Sequence, residues 1–224
     1  MNKLQVYNLC LERSNSLLSQ GLQFFDEKQP EFYRSIGIYR EEFASNSRYM
    51  HRGFYCPSPI RHLLVDNARR GKLLKRSTKR SVITHRFLFD KQNRLFLVER
   101  YHSNNRKNTE FLVYTNNAIT GFTFDSFGSL VGLSEEIYEN GLIQQYFIAG
   151  CLVHRSDNIN LGITSISYER YYYTKDDKLN SADFYFSQFG LENLRTEEVN
   201  SLLFGGSYMF SESKTGKGIV LRRT

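Results

Sequence analysis

The stretch LVGLSEEIYENGLIQQYFIA, Leu130–Ala149, decides the fold class. Asn140-Gly141 sits between two apolar runs, and Asn-Gly suits the two-residue turn of a tight β-hairpin. The same grammar extends to both sides. Phe87–Asp90 leads through Lys91, Gln92 and Asn93 into Arg94–Tyr101; Phe111–Tyr114 turns at Asn116-Asn117 into Thr120–Phe124; and Asp125–Gly128 turns into Leu130. Downstream, Ser156-Asp157-Asn158 and Lys175-Asp176-Asp177 are further turns, and Ser207–Phe210 pairs with Gly218–Leu221 across Lys214–Lys217. Roughly eight to ten short-turned strands are expected of an antiparallel up-and-down meander. A flat sheet of that length exposes two edges and an apolar face, so closure into a barrel is expected. The forms aromatic-turn-Leu at Phe89-Asp90 with Leu95, Phe124-Asp125 with Leu130, and Tyr173 with Leu179 echo one another.

Ahead of the meander, Leu4, Tyr7, Leu11, Leu18, Leu22 and Phe25 recur at helical spacing, which predicts a helix over residues 3–25 that ends before Pro30. Phe32–Arg40 reads as a first strand and Arg48–Tyr55 as a weaker one. A second helix is capped by Ser58, carries Pro59 in its first turn and stops at Gly71, with Arg69 and Arg70 in its last turn. The expected organisation is therefore an N-terminal helical and basic section, 1–78, packed on a β-barrel or curved meander, 79–224.

Tyr (15) and Phe (18) supply the large core volumes, because Trp is absent. The three cysteines, Cys10, Cys56 and Cys151, are odd in number and far apart, which argues against a disulfide framework and suits a reducing compartment. No run approaches a membrane span, and the N-terminus does not read as a secretory signal, so a cytoplasmic location is expected. The net charge is +7, and its placement is more informative. Arg61, Arg69, Arg70, Lys72, Lys75, Arg76, Lys79, Arg80 and Arg86 face Asp66 alone, so this one segment outweighs the net charge of the chain. It would draw an acidic protein, nucleic acid or ligand carboxylates.

Several chemistries are discounted. Ser213–Gly218 lacks the first glycine of a phosphate loop. Cys151 and His154 point to opposite faces of a strand, and the spacing of His51, Cys56 and His62 matches no metal motif, so no metal is expected. No Gly-x-Ser-x-Gly element marks a nucleophile. Two constellations remain. On a strand, Glu169, Tyr171 and Tyr173 share one face, while Tyr168, Arg170 and Tyr172 share the other. Either the charges lie on an exposed edge, or an inward carboxylate among aromatics grips a conjugated ligand bearing NH groups. The second constellation is the basic run with His85-Arg86, which is either a solvated loop or a phosphate-binding surface.

Arg80-Ser81 with Thr84-His85, Ile148-Ala149-Gly150, Glu169–Tyr173, Leu194-Arg195-Thr196, Gly205-Gly206 and Phe210–Glu212 together resemble the CpcS/CpeS-type phycobiliprotein chromophore lyases over about residues 79–210. The two anchors at Glu169-Arg170 and Leu194–Thr196 fit together only with a long insertion between them. The resemblance implies a lipocalin-like barrel that binds an open-chain tetrapyrrole (a bilin) as substrate, without a further cofactor. It would assist attachment of the bilin to a cysteine of an acidic phycobiliprotein subunit, in the cytoplasm or the plastid stroma. Glu169 would be the catalytic group, hydrogen-bonding or protonating the pyrrole nitrogens. Arg170 or Arg195 would pair with the propionates, and Tyr171, Tyr173 and His85 would line the ligand. Two other readings stay open. One is a non-enzymatic protein-binding module of the antitoxin or immunity type, since Phe122–Asp125 and Tyr138–Leu142 resemble YD- or MORN-like hairpins. The other is a basic nucleic-acid-binding protein.

Overall fold

The computed structural model describes residues 3–27, 29–48, 50–64, 68–74, 83–102, 106–153, 160–188, 204–212 and 219–223. Helix α1 (Lys3–Asp26) is followed by α2 (Gln29–Ser35), β1 (Arg40–Ser45), a 3-10 turn at Gly53–Tyr55, the one-turn α3 (Arg61–Leu64) and the short β2 (Lys72–Leu73). The meander then runs through β3 (Ile83–Phe89), β4 (Leu95–Tyr101), β5 (Lys107–Tyr114), β6 (Ala118–Phe124), β7 (Leu130–Glu139), β8 (Leu142–Val153), β9 (Asn160–Tyr173), β10 (Leu179–Gln188), β11 (Phe204–Glu212) and β12 (Ile219–Arg223).

The protein is mainly β, an antiparallel meander with an N-terminal helix. Strand order is β12-β11-β10-β9-β8-β7-β6-β5-β4-β3-β1-β2, so β12 and β2 are ends. The closed barrel expected from the sequence is not formed. Burial of the apolar face did not require closure, because residues of α1 cover strands within each of two compact units. Unit 1 comprises residues 1–19, 114–120 and 132–224; unit 2 comprises 20–113 and 121–131.

In unit 2 one sheet face receives the end of α1. The Phe24 ring lies 5.8 Å from Phe111, 5.1 Å from Phe122 and 6.5 Å from Phe124. The opposite face carries Ala44, Phe87, Phe89 and Val98, covered by Phe54 and Tyr55. Tyr55 stands edge-on to Phe87 at 4.8 Å and to Phe89 at 5.5 Å. In unit 1, Arg13 of α1 bonds Glu135 and Gln145, and its guanidinium lies over the Phe147 ring at 5.7 Å.

The turns explain the sequence echo. Asp90 Oδ1 accepts the Gln92 and Arg94 amides at 3.0 and 2.9 Å, and Asp125 Oδ1 accepts those of Phe127 and Ser129 at 2.8 and 2.9 Å. At Thr174 the hydroxyl accepts the Lys178 amide at 3.2 Å. In each turn the residue three further on, Asn93, Gly128 or Asp177, has positive φ, and the strand resumes at Leu95, Leu130 or Leu179. Asn140 and Gly141 both have positive φ (51° and 79°), as the predicted tight hairpin requires.

Three expectations ahead of the meander change. Phe32–Ser35 is helical rather than a strand, because Pro30 opens α2 instead of lying beyond a single helix; the strand starts only at Arg40. Arg48–Tyr55 is no strand either, but holds an isolated bridge at Arg48 and the 3-10 turn. Ser58 does cap α3, accepting the Ile60 and Arg61 amides at 3.3 and 3.0 Å. Arg69 and Arg70 are not in that helix, however. Arg69 instead bridges back to Arg48.

Candidate functional site: a basic cleft beside a buried charge cluster

The return of the chain after α3 builds the site, all of it in unit 2. Arg48 and Arg69 exchange both backbone hydrogen bonds, Arg48 N to Arg69 O at 2.9 Å and Arg69 N to Arg48 O at 2.8 Å. Ser47 Oγ donates to Arg70 O at 2.6 Å, and the Arg70 guanidinium donates to the carbonyls of Cys56 and Ser58. Gly71, at φ 80°, lets these strands meet: a Cβ there would lie 2.3 Å from Ser47 Oγ and 2.4 Å from Ser45 O. The result is a cleft of about 520 Å³ lined by Asn46, Ser47, Arg48, Arg69, Arg70, Gly71 and Lys72. Four of these seven residues are cationic and none is acidic, so the cleft favours anions.

Behind it lies a charge cluster on the face shared by His85, Phe87, Val98 and Glu110, as the β3–β4 and β4–β5 registers require. Arg52, with left-handed backbone (φ 55°, ψ 15°), places Nε 2.9 Å and Nη2 2.8 Å from Glu110 Oε1. His51 Nε2 lies 3.2 Å from Glu110 Oε2. Burial pushes the Glu110 carboxyl up, but Arg52 and His51 outweigh it and hold the group far below the usual carboxylate range. His85 is 2% exposed and stacks on Phe87 at 5.9 Å. Burial, then Arg100 and His51, lower its pKa to about 3 against the opposing pull of Glu110, so its ring is neutral near pH 7. His85 Nδ1 is 3.2 Å from Thr84 Oγ1, and Nε2 has no hydrogen-bond partner among the described residues. Gly53 links the two features, since a Cβ there would lie 2.7 Å from Ser47 Oγ and 2.9 Å from His85 Nδ1.

The residues singled out from the sequence belong to different units or fall outside the described residues. Glu169 lies in unit 1 and His85 in unit 2. Arg195 and the Arg80-Ser81 motif lie outside the described residues, as do Lys75, Arg76 and Lys79 of the basic run. Glu169 and Tyr171 share a buried face as the strand pattern predicts, and Tyr171 Oη donates to Glu169 Oε2 at 2.5 Å. Tyr173 lies partly buried, with Oη 2.7 Å from Ile143 O. Arg170 is exposed on the opposite face, its guanidinium 5.4 Å from the Tyr172 ring centroid. Glu169 and Arg170 therefore do not converge on a common point. Nor is the Glu169–Tyr171 pair unique: Tyr138 donates to Glu136 at 2.5 Å and Tyr101 to Glu99 at 2.9 Å, the same i, i+2 arrangement on other strands. The basic segment is also divided, since Arg86 is spent on Glu41 and Glu99 while Arg69 and Lys72 stay exposed in the cleft.

Arg48, Arg52 and Glu110 were not found from the sequence. A signal for Glu110 exists, because it is in register with Leu112 on an inward strand face and so predicts a buried carboxylate needing a cation. Arg48 carried none, since a bridge to Arg69 depends on the path of the intervening chain. No protein-family model matches the chain, and no curated protein matches it. Among the described residues no helix is long and apolar enough to cross a membrane.

Proposed function

We propose that the protein is a non-enzymatic binding module, and that it docks an acidic protein partner on the cleft at Arg48, Arg69, Arg70 and Lys72. The observation that carries the reading is the lining itself, in which the described residues bring four cations and no carboxylate to a formed concavity. The recurring turn at Asp90, Asp125 and Thr174 supports it, because a sheet assembled from repeated hairpins offers a rigid platform for recognition. The described lining holds no aromatic ring for base stacking, which favours protein over single-stranded nucleic acid. Cys10, Cys56 and Cys151 are buried and in no disulfide, which suits a reducing compartment such as the cytoplasm. The test is anisotropy titration of a labelled Asp/Glu-rich peptide and a labelled oligonucleotide against the wild type and Arg69→Glu/Lys72→Glu. Peptide binding lost by at least about tenfold in the variant supports the reading. Oligonucleotide binding that is tighter than the peptide's and falls steeply with salt overturns it in favour of nucleic acid.

A second reading follows the resemblance to the bilin lyases, and the buried Glu169 between Tyr171 and the cross-strand Tyr146 favours it. Here Glu169 meets the pyrrole nitrogens of a bilin, Tyr171 and Tyr173 line it, and an acidic phycobiliprotein subunit supplies the acceptor cysteine. The sheet face would have to open, because Glu169 is fully buried. A sharpened long-wavelength band on mixing with bilin, abolished by Glu169→Gln, supports this reading; an unchanged spectrum rejects it.

A further inference from the structure

We infer that the Met50–Cys56 segment is an acid-released cover of the unit 2 sheet, and that His85 beneath it is the group whose protonation lifts it. This conformational device goes beyond the docking reading and does not depend on it. The segment lies over β3, with Tyr55 edge-on to Phe87 and Phe89 and with Gly53 against the imidazole. A Cβ at Gly53 would lie 2.9 Å from His85 Nδ1 and 3.0 Å from Cε1, so the cover touches the ring itself. Thr84 Oγ1 donates to Ala44 O at 3.2 Å, which leaves the hydroxyl oxygen to accept from His85 Nδ1–H, also at 3.2 Å. Nε2 is then the bare nitrogen and takes the added proton. It is buried without a hydrogen-bond partner, so an N–H there would be an unsatisfied donor bearing positive charge.

The charged neighbours oppose that proton as well. Arg100 stands opposite His85 on β4, His102 follows it, and the cover brings His51. On the other side β1 places Ala44 opposite, which offers no countercharge. Of these groups only Glu110 of β5 pulls the other way, and Arg52 and His51 already hold its carboxylate. Burial, then Arg100 and His51, keep the covered ring's pKa at about 3, while a ring opened to water returns to about 6.5. Acid therefore favours the open form. The cover gives way before the strand does: its amide bonds lie within one turn, Gly53 N to Met50 O and Tyr55 N to Arg52 O, whereas β3 is paired on both sides. Lifting Gly53 also withdraws it from Ser47 Oγ, 2.7 Å from the same Cβ position, and so loosens the wall of the basic cleft.

The test is hydrogen exchange between about pH 7.5 and 5, read as protection factors corrected for the intrinsic rate. The amides of Gly53, Tyr55 and Cys56 bond within the cover. Their protection in the wild type should fall about 30-fold over this range, the change that one proton with an open-state pKa of about 6.5 produces. At both ends it should stay at least about tenfold below that of β4 and β5, since the cover opens without the sheet. In His85→Gln and His85→Phe the fall should shrink to less than about threefold. The wild-type slope, about tenfold per pH unit below pH 6, checks the single proton without any variant. A cover unprotected at pH 7.5, or protected equally at both ends, overturns the inference. Protection equal to that of β4 and β5 makes the opening global and overturns it too, and an undiminished fall in both variants overturns the assignment to His85.

Discussion

Arg52 and Glu110 meet through a single carboxylate oxygen, with Nε 2.9 Å and Nη2 2.8 Å from Oε1 and both side chains almost wholly buried. Arg52 holds this position from a left-handed backbone, a conformation uncommon for a residue with a Cβ. The pair ties the 46–60 segment, which carries one wall of the cleft, to strand β5. Removing Arg52 deprives the buried Glu110 of its closest cation, and His51 at 3.2 Å offsets that only in part. Arg52→Ala should therefore lower unfolding free energy by about 3–5 kcal/mol, whereas an apolar double replacement, Arg52→Met with Glu110→Leu, should recover most of the loss. Urea unfolding checks both, and a loss below about 1 kcal/mol for Arg52→Ala would show that Glu110 is hydrated instead.

Stability should fall as the pH drops from 7 to 5. The unfolded His85 binds its proton below about 6.5, but the folded ring does so only near pH 3, so between those values the unfolded state carries more protons. His85 alone should then contribute a loss of about 2 kcal/mol between pH 7 and 5. Urea midpoints at the two pH values, for the wild type and His85→Gln, decide it. The variant should be markedly less pH-sensitive, and identical slopes would reject the assignment.

Gly71 and Gly141 both have φ near 80°, but their surroundings differ. A Cβ at Gly71 would run into Ser45 O and Ser47, whereas nothing lies within 4 Å of one at Gly141. Gly141→Ala should cost about 1 kcal/mol from backbone strain alone. Gly71→Ala should cost clearly more and weaken binding of acidic peptide, because the Arg48–Arg69 bridge must move. Equal costs in thermal melts would contradict the close packing at Ser47.

The Tyr-to-Glu bonds should differ in worth by environment. Glu99 also accepts from Lys107 and Arg86, so Tyr101→Phe should cost less than about 1 kcal/mol. Glu169 is fully buried, and Tyr171→Phe should cost about 1–3 kcal/mol. Paired denaturation curves test the order, and a larger loss at Tyr101 would reverse it.

Cys10 and Cys151 give a chemical check on the same packing. Burial pushes their thiols up to about 11 and about 12, so alkylation near pH 8 should be far slower than for free cysteine. Labelling followed by mass spectrometry reads this directly, and rapid modification of either residue would show that its surroundings open.

The meander was legible because its signals are local. Asn140-Gly141 needs only its own φ angles to make a turn, and Asp90 and Asp125 close theirs by side-chain bonds within four residues. Even the echo of aromatic, turn and Leu reflected a shared hydrogen-bond pattern. Misreading Phe32–Arg40 had an equally local cause: β-forming side chains outvoted Pro30, whose fixed φ suits a helix start.

The sequence by itself determined the β-meander, the N-terminal helix, the opposite facing of Glu169 and Arg170, and the presence of a basic segment. Backbone periodicity and turn chemistry act over a few residues, so they can be read in line. Only the tertiary structure decided that the sheet stays open, that Arg69 stands opposite Arg48, and that Arg52 meets Glu110 across 58 positions. Those outcomes depend on which distant side chains can be desolvated together, and that balance is settled by packing.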